Sequence, residues 1–199
     1  MNSELKQLCK TLRLAYVADI YESIPFEDET QYLMDLLKKE IQLRDEAKGK
    51  RLIKKAKFIS VKTLDTFQWT EQIHFPPHLN ISSLCSLDFI RNRENVVLVG
   101  APGTGKTHLA TGLGHKACLE GFEVRFYRVS DLVETLERAW KEGKIQQFRK
   151  KFKKVDLVIL DEMGYIPFTK EGSELLFQLI SDWYEQKSII LTSNLEFSQ

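Results

Sequence analysis

Apolar residues fall into two regimes along the chain. Up to about residue 60 they recur at helical spacing: Leu5, Leu8, Cys9 and Leu12, then, beyond Pro25, Leu33, Leu37 and Ile41 along one face of a longer segment. Steps of three and four residues put side chains on one side of an α-helix, so a helical N-terminal segment is predicted over 1–60. From Asn95 onward, short apolar runs alternate with amphipathic stretches. The runs are NVVLVG, EVRFYRV, VDLVILD and SIILTS. Between them Leu109, Ala110, Leu113 and Ala117 carry a helical period, as do Leu132, Val133, Leu136, Ala139 and Trp140, and then Leu175, Leu176, Leu179, Ile180 and Trp183. Strand candidates alternating with helices predict an α/β fold, a parallel sheet flanked by helices, over 93–199. Ser130 is the expected N-cap of the middle helix. Residues 61–92 differ from both regimes. Pro76-Pro77, sparse charge and scattered aromatics give no sustained period, so a linker packing on the following core is expected.

Composition narrows the class. A chain of 199 residues with 43% hydrophobic and 29% charged residues matches an ordinary globular protein, not a disordered chain, a collagen-like repeat or a disulfide scaffold. No run of about 20 apolar residues is present to span a bilayer, and charges interrupt the N-terminus where a signal peptide would carry an apolar core. A cytoplasmic protein with no membrane partner is expected. The three cysteines, Cys9, Cys85 and Cys118, are odd in number and far apart, which fits reduced thiols. His74, His78 and Cys85 do not have a zinc-site spacing. The formal net charge is only +1, but charge is sorted along the chain. Glu27, Asp28 and Glu29 open the long helical segment, and KGKRLIKKAK closes it; a second basic stretch, KEGKIQQFRKKFKK, spans 141–154. Either can neutralise several phosphates, and either can be a solvated helix face.

Candidate chemistry centres on residues 100–107. Gly100, Ala101, Pro102, Gly103, Thr104, Gly105, Lys106 and Thr107 form a complete G-x-x-x-x-G-K-[ST] phosphate loop, and His108 follows in the same turn. Glycines let the backbone fold tightly enough for successive N–H groups to point at phosphate oxygens, and the helix that follows adds its positive end. Lys106 is placed to reach the β- and γ-phosphates, and the Thr107 hydroxyl to bind Mg²⁺. The apolar run before the loop and the helix after it are the context the motif requires. His108 and His115 are read as helix-surface or core residues in chemical terms, not as catalysts.

Two further elements join the loop. In LVILDEM, Asp161 ends a buried strand, where ligands of open α/β sheets bind, and is the second expected Mg²⁺ ligand. Glu162 is the candidate for polarising the water that attacks the γ-phosphate. Asn194, after SIILTS, can hydrogen-bond that water or the phosphate, or simply serve as a turn residue.

Taken together, GAPGTGKTHLATGLGHKA, FYRVSDLVETL, VDLVILDEMGYIPFTKEGSELLFQLISDWYE and IILTSN resemble the IstB-like AAA+ ATPases, helpers of insertion-sequence transposition related to the DnaC helicase loader. The resemblance runs from about residue 30 to the end of the chain. It implies a P-loop NTPase fold and an ATP- and Mg²⁺-dependent homo-oligomer that binds double-stranded DNA and assists a transposase. By motif position, Lys106 and Thr107 match Walker A, Asp161 and Glu162 Walker B, and Asn194 sensor 1. The family also has a fifth strand and an arginine finger beyond sensor 1. The sequence stops at Gln199, so the C-terminal part of the family fold is expected to be missing, with an open sheet edge and slow hydrolysis as the result. The DNA partner makes Lys54, Lys55, Lys150 and Lys151 the candidate phosphate contacts. Phe67 and Trp69 lie where the family chain enters its core, beside the adenine or in ordinary core packing. A helicase loader and an ATP-binding module with little turnover are the alternative functions.

Overall fold

The computed structural model describes residues 3–71, 73–77, 79–164 and 168–194. Two compact units divide between Arg51 and Leu52.

The first unit contains α1 (Ser3–Thr11), α2 (Val17–Ile20) and most of α3 (Glu29–Ala56). Its small core gathers Cys9, Val17 and Leu36, with Leu5, Leu14 and Tyr32 packed around them. The face of α3 that packs inward is not the one the apolar spacing singles out. Leu33, Leu37 and Ile41 do share a face, but they are exposed, whereas Leu36 and Glu40 are buried. The reason is a polar anchor. The Glu40 carboxylate accepts hydrogen bonds from the backbone N–H groups of Ala15, Tyr16 and Val17 at 2.6, 2.7 and 3.0 Å and pairs with Arg44 Nε at 2.9 Å. The first N–H groups of a helix have no intrahelical acceptor, so a remote carboxylate here does the work of a cap for α2.

The second unit opens with the last turn of α3 and a segment that carries α4 (Ile81–Cys85) and α5 (Asp88–Arg91). Both helices are too short to register as a period. α4 is fixed by reciprocal bonds: Asn80 Oδ1 accepts from Ser83 N–H at 2.8 Å, and Ser83 Oγ accepts from Asn80 N–H at 2.9 Å. Phe67, Leu84, Leu87, Phe89 and Ile90 from this segment are buried in the same core as the helix after the phosphate loop.

The remaining elements are β1 (Val96–Val99), α6 (Lys106–Leu119), β2 (Val124–Arg128), α7 (Val129–Lys141), α8 (Ile145–Lys150), β3 (Leu157–Met163), α9 (Lys170–Trp183) and β4 (Ser188–Ser193). All four apolar runs become strands of one parallel sheet, in the order β1-β4-β3-β2. Successive residues of β3 face opposite sides. Leu157 and Ile159 join α6 in one core, while Val158 and Leu160 join α7 and α9 in the other. Burial on both faces is why this strand reads as an unbroken apolar run. Ser130 is not the N-cap. β2 runs straight into α7, which starts at Val129 after Arg128, and the Ser130 hydroxyl bonds the Asp131 carboxylate at 3.3 Å.

Cys9, Cys85 and Cys118 are free thiols, and burial pushes the Cys118 thiol up to about 12. His78 lies outside the described residues. Among the described residues no helix is long and apolar enough to cross a membrane.

Candidate nucleotide-binding site

The sheet order places the site. β4 pairs with β1 on one side and β3 on the other, so the loop after β1 and the acidic end of β3 flank the same strand end. Gly100 N–H bonds the carbonyl of Ser193, the last residue of β4, at 3.3 Å. The loop then turns through Gly103 and Gly105 at φ of +82° and +87°, conformations that glycine adopts freely. Gly105 immediately precedes α6, whose unpaired N–H groups and dipole face the loop.

Lys106 curls back over this cradle. Its ammonium donates to the carbonyls of Gly100 and Ala101 at 2.7 and 2.8 Å. Partial burial lowers its pKa below the ordinary lysine value, and the Asp161 carboxylate opposes that shift. The Thr104 hydroxyl bonds the Ala101 carbonyl at 2.9 Å and stiffens the turn.

One residue along, the Thr107 hydroxyl reaches from the first turn of α6 to Asp161, donating to Oδ1 at 2.8 Å. The two residues are 54 positions apart in sequence. Asp161 is buried, and the same Oδ1 accepts from the Thr192 hydroxyl on β4 at 2.6 Å. A hydroxyl and a carboxylate in contact are hard oxygen donors, the set that Mg²⁺ prefers. Glu162 follows in the left-handed region, φ +63°, with its side chain half exposed and 3.7 Å from Arg128 Nε at the end of β2. Asn194 is half-buried directly after β4, at the same end of the strands as the loop and the acidic pair.

A scan against family models matches residues 10–199 to the IstB-like ATP binding protein family. The chain belongs to the IstB-like ATP-binding family. The insertion sequence IS5376 ATP-binding protein of Geobacillus stearothermophilus is 35% identical to it over 205 residues, covering the whole of this chain and 81% of the relative. The IS21 ATP-binding protein of Pseudomonas aeruginosa is 34% identical over 98% of this chain and 76% of its own length. Among solved structures, AMPPCP-bound DnaA from Aquifex aeolicus superposes with a TM-score of 0.58 at 25% identity, over 70% of this chain and 44% of DnaA. The DnaC helicase loader gives 0.51 at 25% identity, over 69% of this chain and 79% of DnaC. This IstB-like chain spans less than half the length of the DnaA chain it matches. The fold is that of AAA+ P-loop NTPases, and the protein is an ATP-binding one.

Around the loop of this IstB-like chain, the segment before α4 supplies a wall. The Phe67 ring packs edge-on against Trp69 and His108, with centroids 4.8 and 5.3 Å apart, and a Cβ on Gly105 would come within 3.1 Å of it. Phe67 is itself part of the buried core. His108 Nε2 lies 3.0 Å from the Thr63 carbonyl and 3.2 Å from the Thr66 hydroxyl, so the histidine ties this segment to α6. Gly112 permits that close approach, since a Cβ there would meet Leu64 N at 3.2 Å; Gly114 instead lets α6 lie close to β3, where an added Cβ would meet Ile159 Cδ1 at 2.6 Å.

The basic candidates fare differently. Lys55 Nζ pairs with Glu123 Oε1 at 2.7 Å, whereas Lys54 and Lys150 are exposed. Lys151 is also exposed, its ammonium 5.4 Å from the centroid of the Phe148 ring. Sequence reasoning missed Thr192 and Arg128. Thr192 is a polar residue inside an apolar run, two before Asn194, and that was its only signal.

Proposed function

We propose that this protein is a cytoplasmic, Mg²⁺-dependent ATPase that assembles as a homo-oligomer on double-stranded DNA and assists a transposase in insertion-sequence transposition, with hydrolysis controlling assembly. The observation that carries the catalytic part is the 2.8 Å contact between Thr107 and Asp161. It joins the phosphate loop to the acidic strand end that would act on the γ-phosphate. The transposition context is supported by relatives at 34–35% identity that are insertion-sequence ATP-binding proteins. The DnaC likeness, at 25% identity and a TM-score of 0.51, keeps a helicase loader as the second reading.

In this reading the backbone N–H groups of the loop and the first turn of α6 hold the phosphates. Lys106 exchanges the Gly100 and Ala101 carbonyls for β- and γ-phosphate oxygens. Thr107 and Asp161 would hold Mg²⁺, which neutralises charge on the phosphates when bound. Glu162 orients the attacking water and accepts its proton, Arg128 restrains the Glu162 carboxylate, and Asn194 hydrogen-bonds the water or the γ-phosphate. Lys54, Lys150 and Lys151 contribute phosphate contacts to DNA, and Lys55 does so to the extent that Glu123 releases it.

The test is Glu162→Gln. ATP affinity should stay within about twofold while turnover falls by roughly 100-fold or more. Turnover that survives the substitution would refute the assignment of Glu162. Copurification with a transposase or with a replicative helicase separates the two partner readings.

A further inference from the structure

The pairing of β3 with β4 is interrupted at the site. Leu160 pairs with Leu191 and Met163 with Ser193, so Asp161 and Glu162 together face the single residue Thr192. Two residues opposite one define a β-bulge, a device that re-aims a side chain. In an unbroken strand Asp161 and Glu162 would project to opposite faces of the sheet. Here Glu162 instead adopts φ +63°, a costly conformation for a residue with a Cβ, and something nearby must hold it.

We propose that Thr192 is a positioning residue for ATP hydrolysis, its hydroxyl clamping Asp161 and Glu162 in the arrangement the reaction uses. Thr192 is 2% exposed. Its Oγ1 accepts a hydrogen bond from Glu162 N–H at 3.0 Å and lies 2.6 Å from Asp161 Oδ1. The direction of both bonds follows from chemistry. An amide N–H can only donate, so the hydroxyl accepts there, and its single proton goes to the carboxylate. One oxygen thus grips the side chain of Asp161 and the backbone of Glu162. Thr107 donates to the same Asp161 oxygen. If the Thr107 oxygen turns to a metal ion, Thr192 remains as the donor that keeps the Asp161 carboxylate in its rotamer. Buried beside a carboxylate, such a bond is charge-assisted and directional.

The inference rests on the ATPase reading above, and its test separates the two. Thr192→Val keeps the branched shape and removes the hydroxyl; Thr192→Ser keeps the hydroxyl and removes the methyl. Thr192→Ala is carried in parallel so that a packing failure of valine does not decide the outcome. Three quantities are measured: affinity for a fluorescent ATP analogue without Mg²⁺, the Mg²⁺ concentration at half-maximal change in that signal, and kcat with KM. The valine and alanine variants should bind nucleotide without Mg²⁺ within about twofold of the parent, need severalfold more Mg²⁺, and lose about tenfold or more in kcat. Serine should restore the Mg²⁺ midpoint and kcat to within about twofold. Valine and alanine variants that match an active parent sink the positioning role and leave the ATPase reading intact. A serine variant as impaired as valine also sinks it, because the methyl packing then matters and the hydroxyl does not. A parent without Mg²⁺-dependent nucleotide binding sinks the ATPase reading and this inference with it.

Discussion

Lys106 holds its charge against its own surroundings. Burial lowers its pKa, and Asp161 only partly compensates. The ammonium is the form that binds phosphate, so deprotonation weakens nucleotide binding. Because the free protein's pKa is lowered, affinity should begin to fall at a pH below the ordinary lysine value of about 10.4. The bound phosphates raise the pKa again, so the fall continues until the bound-state value is passed. Nucleotide titrations between neutral and alkaline pH check this; an affinity independent of pH throughout that range contradicts it. The loop residues were readable from the chain because their chemistry is local: glycines, a lysine and a threonine at fixed spacing. Asp161 and Glu162 were readable because they end an apolar run. Thr192 and Arg128 were not, since their roles exist only once β4 and β2 lie beside β3. The left-handed conformation of Glu162 was equally hidden, because it is a property of strand pairing.

At the level of elements, the strands and the three long core helices were legible because both periods were sustained over several turns or residues. The first unit was less legible. Its hydrophobic period pointed to Leu33, Leu37 and Ile41, while the helix packs through Leu36 and the charged Glu40. A buried carboxylate with three backbone donors leaves no trace in a hydrophobicity pattern. Glu40→Ala strands the N–H groups of Ala15, Tyr16 and Val17, and should cost about 3 kcal/mol in the stability of that unit. Chemical denaturation followed by helical signal measures it; a loss below about 1 kcal/mol would show that water replaces the carboxylate. α7 and α9 present a second test. They meet at Gly172, where an added Cβ would lie 2.6 Å from both Val133 Cγ1 and Glu137 Oε1. Glu137 can move its end away, but Val133 cannot do so without repacking. Gly172→Ala should therefore destabilise the core by about 1–3 kcal/mol despite alanine's better helix propensity. A stabilised variant would mean the two helices separate at little cost.

At the scale of the whole molecule, the near-neutral charge conceals unequal basic clusters. Lys55 is committed to Glu123, while Lys150 and Lys151 are exposed. If the protein binds DNA through these residues, Lys150→Glu with Lys151→Glu should lower the slope of log affinity against log salt by about 2. The Lys54→Glu and Lys55→Glu pair should change it less, because Glu123 already competes for Lys55. Equal effects would contradict that ranking.

The order of the sheet also sets a timetable. β4 is the last of the described strands to be synthesised, yet it lies between β1 and β3, pairing Val96 with Ile190 across most of the core's length. Such distant pairings form late, because the intervening chain must be closed before they give any return. On the ribosome, the phosphate loop with α6 and the β2–β3 pair can each gain local structure as they emerge. Their joining strand is still inside the exit tunnel at that stage. Completing the nucleotide site is therefore a late step: α6 can pack on β3 directly, but β1, which carries the phosphate loop, is joined to β3 in the sheet only through Ser188–Ser193.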